Sequence, residues 1–208
     1  MQEIVDLCRQ RNIAVRFEAR EALDRVANGA AHQGVVALGA AHGYAEYQDA
    51  IAGAQLLVLL DGVEDPHNLG AIVRTAHAAG ASAVLIPERR AAGLTDTVAK
   101  SAAGALEHIP VARVGNVSQA LGDLKKRGFW IYGADERGDQ PYSGVDYARP
   151  TVFVLGGEGQ GLHRQVRKHC DVVVRIPMAG AISSLNVSVA AGVLLFEWRR
   201  KNPPPPRS

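Results

Sequence analysis

The sequence predicts an α/β fold built on a mostly parallel sheet flanked by helices. Two observations predict it. Six short apolar runs, 56–60 (LLVLL), 83–86 (AVLI), 109–114 (IPVARV), 129–134 (FWIYGA), 151–155 (TVFVL) and 172–176 (VVVRI), read as strands. Unbroken apolar strands imply burial on both faces of the sheet, the usual condition of parallel strands. Helical segments near 69–79, 95–106, 117–127, 161–168 and 184–199 fall between and after these runs, and such alternation favours parallel crossovers.

Residues 1–52 differ in character. The stretch 1–27 reads as a helix, a short strand around 13–17 and a second helix, and NGAAHQGVVALGA follows as a loop and a strand. HGYAEYQDAIAG then serves as a connector. This is too little chain for a comfortable independent domain, so a partial N-terminal domain with its linker is expected over 1–52. The main domain is expected over 53–200, with a disordered proline-rich tail at 201–208, where NPPPPRS cannot continue a helix. No internal repeat is visible.

Bulk properties narrow the class. At 47% hydrophobic the 208-residue chain can bury a core and is neither disordered nor fibrous. No apolar run approaches the roughly 18–20 residues that span a bilayer. The opening MQEIVDLCRQRN lacks a basic stretch followed by an apolar one, unlike a secretory signal. Cys8 and Cys170 stand far apart, which suits a reduced intracellular protein, so a cytoplasmic location is expected. Of the 23 basic residues four lie in 199–208, which contains no acid; the rest of the chain is slightly acidic despite a net charge of +2. Any grip on nucleic acid must therefore come from local clusters such as Arg89–Arg90, Lys125–Lys126–Arg127 and Arg164–Arg167–Lys168.

Three loops could carry chemistry. In LDGVEDPHNLGAIVRTAHAAGAS, residues 60–82, Asn68 can cap a helix that closes at Gly80. Arg74 can reach back toward the carboxyl edge of the sheet, where open α/β folds bind ligands. In VFVLGGEGQGLHRQV, residues 152–166, four glycines within six positions permit close backbone approach to a ligand around Glu158. In RIPMAGAISSLNVSVAAGVLLFEWRR, residues 175–200, Ser184 opens an apolar helix, so Asn186 and Ser188 on its first turn need hydrogen-bond partners. Leu185, Val189, Leu195 and Phe196 are expected to be largely buried there. Taken singly, each loop also admits a plain reading as a cap, a tight turn or a surface pair.

Taken together, N-L-G-x-x-x-R-T-A at 68–76, G-G-E-G-x-G-L at 156–162 and I-P-M-x-G-x-x-x-S-L-N-V-S at 176–188 match, in order and spacing, the three signature motifs of the SpoU (TrmH-like) family of SPOUT-class RNA ribose 2′-O-methyltransferases. The resemblance runs from about 56 to 198 and is greatest to members that methylate a guanosine of 23S ribosomal RNA. AHQGVVAL at 31–38 resembles the end of such an enzyme's N-terminal RNA-binding domain, the start of which is expected to be missing.

The resemblance implies a C-terminal trefoil knot, a homodimer, an RNA substrate and S-adenosyl-L-methionine as methyl donor. It places the donor against Leu155, Gly156, Gly157, Ile176, Met178 and Leu185. It gives Arg74 the part of assisting the ribose hydroxyl, with Asn68, Glu158, Ser184 and Asn186 orienting Arg74 and the ribose. No metal is expected, since neither HExxH nor paired cysteines occur. An ordinary Rossmann methyltransferase would need a GxGxG after the first strand, which LLDGVEDPHNLG lacks. A non-catalytic RNA-binding protein would not need the Arg, Glu, Ser and Asn set. A transfer-RNA substrate remains open, because the motifs do not choose among RNAs.

Overall fold

The structure, a computed structural model, describes residues 2–204 except 12, 28, 30, 38–41, 158–160 and 182. The chain divides into two compact units, residues 1–40 and 41–208.

The smaller unit contains helices α1 (Gln2–Gln10) and α2 (Arg20–Ala27). Val5 is its only buried hydrophobic residue among those described. The strands expected around 13–17 and within 31–38 do not form among the described residues. A strand needs a neighbour to pair with, and every described ladder belongs to the larger unit.

Residues 42–52, expected as linker to the first domain, pack with the larger unit instead. Helix α3 (Tyr47–Ile51) buries Ala50 and Ile51, and the Ala45 amide donates to the Val111 carbonyl at 2.9 Å. The Tyr47 hydroxyl donates to Asp123 at 3.0 Å, and burial together with that carboxylate raises its pKa above the usual tyrosine value.

All six expected runs are strands of one sheet. They are β1 (Leu56–Asp61), β2 (Ala83–Pro87), β3 (Val111–Val114), β4 (Trp130–Ala134), β6 (Thr151–Gly156) and β7 (Val172–Arg175). The two-residue β5 (Gln140–Pro141) is too short and too polar to leave an apolar signal. Sheet order is β3-β2-β1-β6-β4-β7-β5, and every pair is parallel. Side chains alternate across each strand. Leu56, Val58 and Leu60 therefore join one core with Ile72, Leu194 and Trp198, while Leu57 and Leu59 join a second with Ile51, Leu121 and Val166. The two cores occupy opposite faces of the sheet.

The remaining helices are α4 (Pro66–Ala79), α5 (Asp96–Ala102), α6 (Val117–Lys126), α7 (Arg164–His169) and α8 (Val187–Lys201). Two expected starts are corrected. Asp65, rather than Asn68, caps α4, accepting the His67 amide at 2.7 Å with Pro66 at the first helical position. Asn186, rather than Ser184, caps α8.

Helix α8 buries one face only: Val187, Ala191, Leu194, Leu195 and Trp198 recur at helical spacing. Val189 and Phe196 are about half exposed, against expectation, because they project from the other face. The expected tail also begins later, since Lys201 ends α8 and its Nζ donates to the carbonyls of Ser143 and Val145 at 2.8 and 2.7 Å. Residues 205–208 lie outside the described ones.

Cys170 follows α7, and burial pushes its thiol pKa up to about 12. Only thiolate reacts appreciably, so Cys170 should label with iodoacetamide at pH 8 only after the protein is unfolded. Rapid labelling in the native state, read by mass spectrometry, would show that its surroundings open.

Candidate functional site

The site grows from the carboxyl edge of the sheet. β1 and β6 are neighbours in register, Asp61 opposite Gly156, with the rest of the sheet extending away on either side. Ligands of open α/β sheets bind in such a crevice.

Two adjoining cavities open there. The larger, about 980 Å³, is lined by Leu155, Gly156, Gly157, Ile176, Met178 and Leu185, all six residues expected to hold the cofactor. Ser184 and Asn186 line it too. The smaller, about 480 Å³, is lined by Asp61, Glu64, Asp65, Asn68, Arg90 and His163. Gly157, Gly161 and Val187 line both.

Backbone packing leaves no room for side chains at the dividing wall. A Cβ on Gly156 would lie 2.1 Å from the Gly161 carbonyl carbon, and one on Gly157 would lie 2.1 Å from the Gly62 carbonyl oxygen. The glycines are thus required by close approach of three backbone segments.

The first and third motifs meet directly. Asn186 Nδ2 donates to Asn68 Oδ1 at 2.9 Å, while Asn186 Oδ1 accepts the Ser188 amide at 2.9 Å and the Ser188 hydroxyl at 2.6 Å. Asn68 is buried, and this contact provides hydrogen bonding for its amide away from water. The capping carboxamide of α8 therefore also fixes the start of α4.

Other site residues stand differently. Arg74 is exposed and lines neither cavity. Six residues at about 100° each turn it roughly 120° around α4 from the buried Asn68. Glu158 lies outside the described residues.

Several lining residues were missed in the sequence. Asp61 closes β1, and a carboxylate closing an apolar strand is itself a signal. It accepts the His163 amide at 2.9 Å, and its Oδ1 bonds His163 Nδ1 at 2.9 Å. Asp135 and Arg167 form a 3.2 Å ion pair in the larger cavity, and Arg167 also donates to the Arg137 carbonyl at 2.9 Å. Their pairing spans distant segments and leaves no local pattern.

Among the described residues no group of His, Cys, Asp or Glu could hold a metal ion, and no helix is long and apolar enough to cross a membrane.

Comparison with known proteins agrees with this geometry. Residues 55–196 match the SpoU rRNA Methylase family, and residues 1–45 match the RNA 2′-O ribose methyltransferase substrate binding family. The chain is 45% identical to a Bacillus subtilis protein named as a TrmH family tRNA/rRNA methyltransferase, YacO, over 97% of this chain and 84% of that one. It is 46% identical to the Xylella fastidiosa 23S rRNA (guanosine-2′-O-)-methyltransferase RlmB, over 96% of this chain and 82% of that one. Its fold is similar to the SpoU methyltransferase AviRb from Streptomyces viridochromogenes, solved in complex with AdoMet. TM-score there is 0.66 and identity 34%, covering 70% of this chain and 57% of that chain. With two glycine-walled cavities at the sheet edge and residues from each of the family's three motifs lining them, the chain belongs to the SpoU rRNA methylase family, and S-adenosylmethionine is its methyl donor.

Proposed function

We propose that this chain methylates the ribose 2′-hydroxyl of a guanosine in 23S ribosomal RNA. One observation carries the reading. Residues of two distant loops, Leu155–Gly157 and Ile176–Leu185, line one cavity that adjoins the Asn68 pocket. The larger cavity suits the methyl donor, because Leu155, Ile176, Met178 and Leu185 offer apolar contact for a ring while Asp135 and Glu136 add carboxylates. The 23S guanosine target is supported by the RlmB relative, and the match of residues 1–45 to a substrate-binding family supports an RNA-docking role for the N-terminal segment. The YacO name, which includes transfer RNA, supports a second reading with a tRNA ribose as substrate.

The chemical problem is a hydroxyl that is almost never ionised at neutral pH. Bound S-adenosylmethionine supplies a methyl group already activated by a sulfonium. The protein must then align the two reactants and help remove the proton. Asn68, Glu158, Ser184 and Asn186 are assigned to orienting the ribose. Arg74 is assigned to stabilising developing oxygen charge or holding an RNA phosphate, because a guanidinium is a poor base.

The rest of the reading is an enzyme that acts as a homodimer in the cytoplasm, without metal, its C-terminal segment tied in a trefoil knot. The half-exposed Val189 and Phe196 on α8 support an interface at that helix. An interface there would give Arg74, exposed on the adjacent α4, a place beside a second subunit.

The test uses radiolabelled S-adenosylmethionine with unmodified 23S ribosomal RNA and with transfer RNA, followed by nucleoside analysis. 2′-O-methylguanosine formed on the ribosomal substrate is the expected product. Arg74→Ala should lower the rate by about 10²–10³-fold with cofactor affinity nearly unchanged, the scale of one lost charge-stabilising donor. Equal loss of rate and cofactor binding would remove the Arg74 assignment.

A further inference from the structure

We infer that Arg90, Arg164 and Lys168 hold the RNA backbone across the carboxyl edge of the sheet, gripping phosphates on either side of the target nucleotide. The place of that nucleotide rests on the function proposed above.

The chain as a whole attracts RNA weakly, since its net charge is only +2. Grip must come from cations that are near the site and not already neutralised. Three basic clusters stand out in the sequence, Arg89–Arg90, Lys125–Lys126–Arg127 and Arg164–Arg167–Lys168, and the fold separates them. Arg89 and Arg90 follow the end of β2, and Arg164 opens α7 after the end of β6. The strands are parallel, so both clusters begin at the carboxyl edge. Lys125–Arg127 closes α6 just before β4 begins, at the amino edge.

Ion pairing makes the same division. Lys125 Nζ lies 2.6 Å from Asp171, while Arg127 donates to Asp123 at 2.9 Å and to Gln48 at 2.7 Å. Arg167 is engaged by Asp135 and by the Arg137 carbonyl. The side chains of Arg90, Arg164 and Lys168 are exposed, with no ion pair or hydrogen bond among the described residues. Arg164 and Lys168, four apart on α7, share one face of that helix.

The two arginines stand at different cavities. Arg90 lines the smaller and Arg164 the larger. Gly157, Gly161 and Val187 line both, so a ribose at that shared wall sends its flanking phosphates to opposite sides. A guanidinium offers paired donors to each phosphate, and Lys168 extends the grip along α7 as a point charge. Most carboxylates of the lining are already met: Asp61 by His163, Asp65 by the His67 amide, Asp135 by Arg167, and Glu136 by Arg137 at 3.7 Å. Glu64 is left among the described lining residues to repel a phosphate, and Arg90 lines the same cavity to offset it.

The experiment is equilibrium binding of the full chain to transcribed 23S ribosomal RNA across about 50–300 mM KCl. Arg90→Gln, Arg164→Gln and Lys168→Gln should each weaken binding about threefold to tenfold. Each should also reduce the slope of log affinity against log salt by roughly 0.7, the value for one phosphate of a single strand. The triple variant should lose about 2 from that slope. A merely structural role would lower affinity without flattening the salt dependence. Cofactor affinity, measured by calorimetry, should stay within about twofold of the parent, because the lost charges contact RNA. Lys126→Gln removes an exposed charge at the amino edge and should leave affinity and slope as in the parent.

An unchanged slope in any of the three single variants overturns the inference. So does a loss in Lys126→Gln as large as theirs. Methyl transfer by the parent is measured separately on the same RNA. Absence of 2′-O-methylguanosine, with the slopes falling as expected, would remove the proposed function and leave the phosphate grip standing.

Discussion

Gly157→Ala is expected to abolish methyl transfer and to weaken cofactor binding by more than about tenfold, because overpacking here deforms the binding wall itself. The new Cβ would stand 2.1 Å from the Gly62 carbonyl oxygen, a backbone atom that cannot swing aside. Relief requires the ends of β1 and β6 to part, which breaks the hydrogen bond that the Gly157 N–H donates to the Asp61 carbonyl. A stability cost of about 1–3 kcal/mol should accompany the loss, as for other forced insertions into packed structure. Calorimetric titration with S-adenosylmethionine and urea unfolding would measure the two effects. Gly122→Ala is the control: nothing lies within 4 Å of its Cβ, and it occupies the interior of α6. That variant should gain about 0.5–1 kcal/mol with full activity. Equal behaviour of the two variants would show that the partition is not sterically closed.

Trp198→Ala is expected to give the largest loss of stability, about 3–5 kcal/mol by urea unfolding, as for other aromatic truncations in a packed core. Trp198 is 2% exposed at the base of α8, and its Nε1 donates to Thr151 Oγ1 at 2.8 Å. Thr151 is itself fully buried and donates to the Ala148 carbonyl, so the indole ties α8 to the start of β6 through a chain of hydrogen bonds. Trp198→Phe keeps most of the apolar contact and removes only the N–H donor, so it should cost about 1–2 kcal/mol. The effect should reach the site. Helix α8 begins at Asn186, the partner of Asn68, so loosening its seat should raise the KM for RNA before it lowers the turnover number. A Trp198→Ala variant as stable as the parent would mean that α8 is held by other contacts.

Much of the sheet was legible in the chain alone. Parallel strands buried on both faces must be apolar throughout, and all six such runs became strands within a residue or two. Errors appeared where a local rule had two equivalent candidates. Asp65 and Asn68 are both good caps three residues apart, and Pro66 decides for Asp65 because its fixed φ suits the first helical position. Ser184 and Asn186 compete in the same way, and only Asn186 places its oxygen on two following amides. Val189 and Phe196 read as buried because hydrophobicity does not say which side of a helix has a neighbour.

The glycine wall was visible as a cluster after a buried strand, because close backbone approach requires residues without side chains. The Asp61–His163 pair and the Asp135–Arg167 pair were not, since each joins residues from separate elements.

What the sequence determined by itself was the strand set, because burial acts through residue type and spacing, and the three motifs whose resemblance to the family pointed to six residues that line the larger cavity. Only the tertiary structure decided that Asn186 seats Asn68, that Arg74 turns away from both cavities, and that Asp61 aims His163 into the smaller one. Those relations depend on how α4, β1, the glycine loop and α8 converge across 100 residues and more, and no local periodicity records such a meeting.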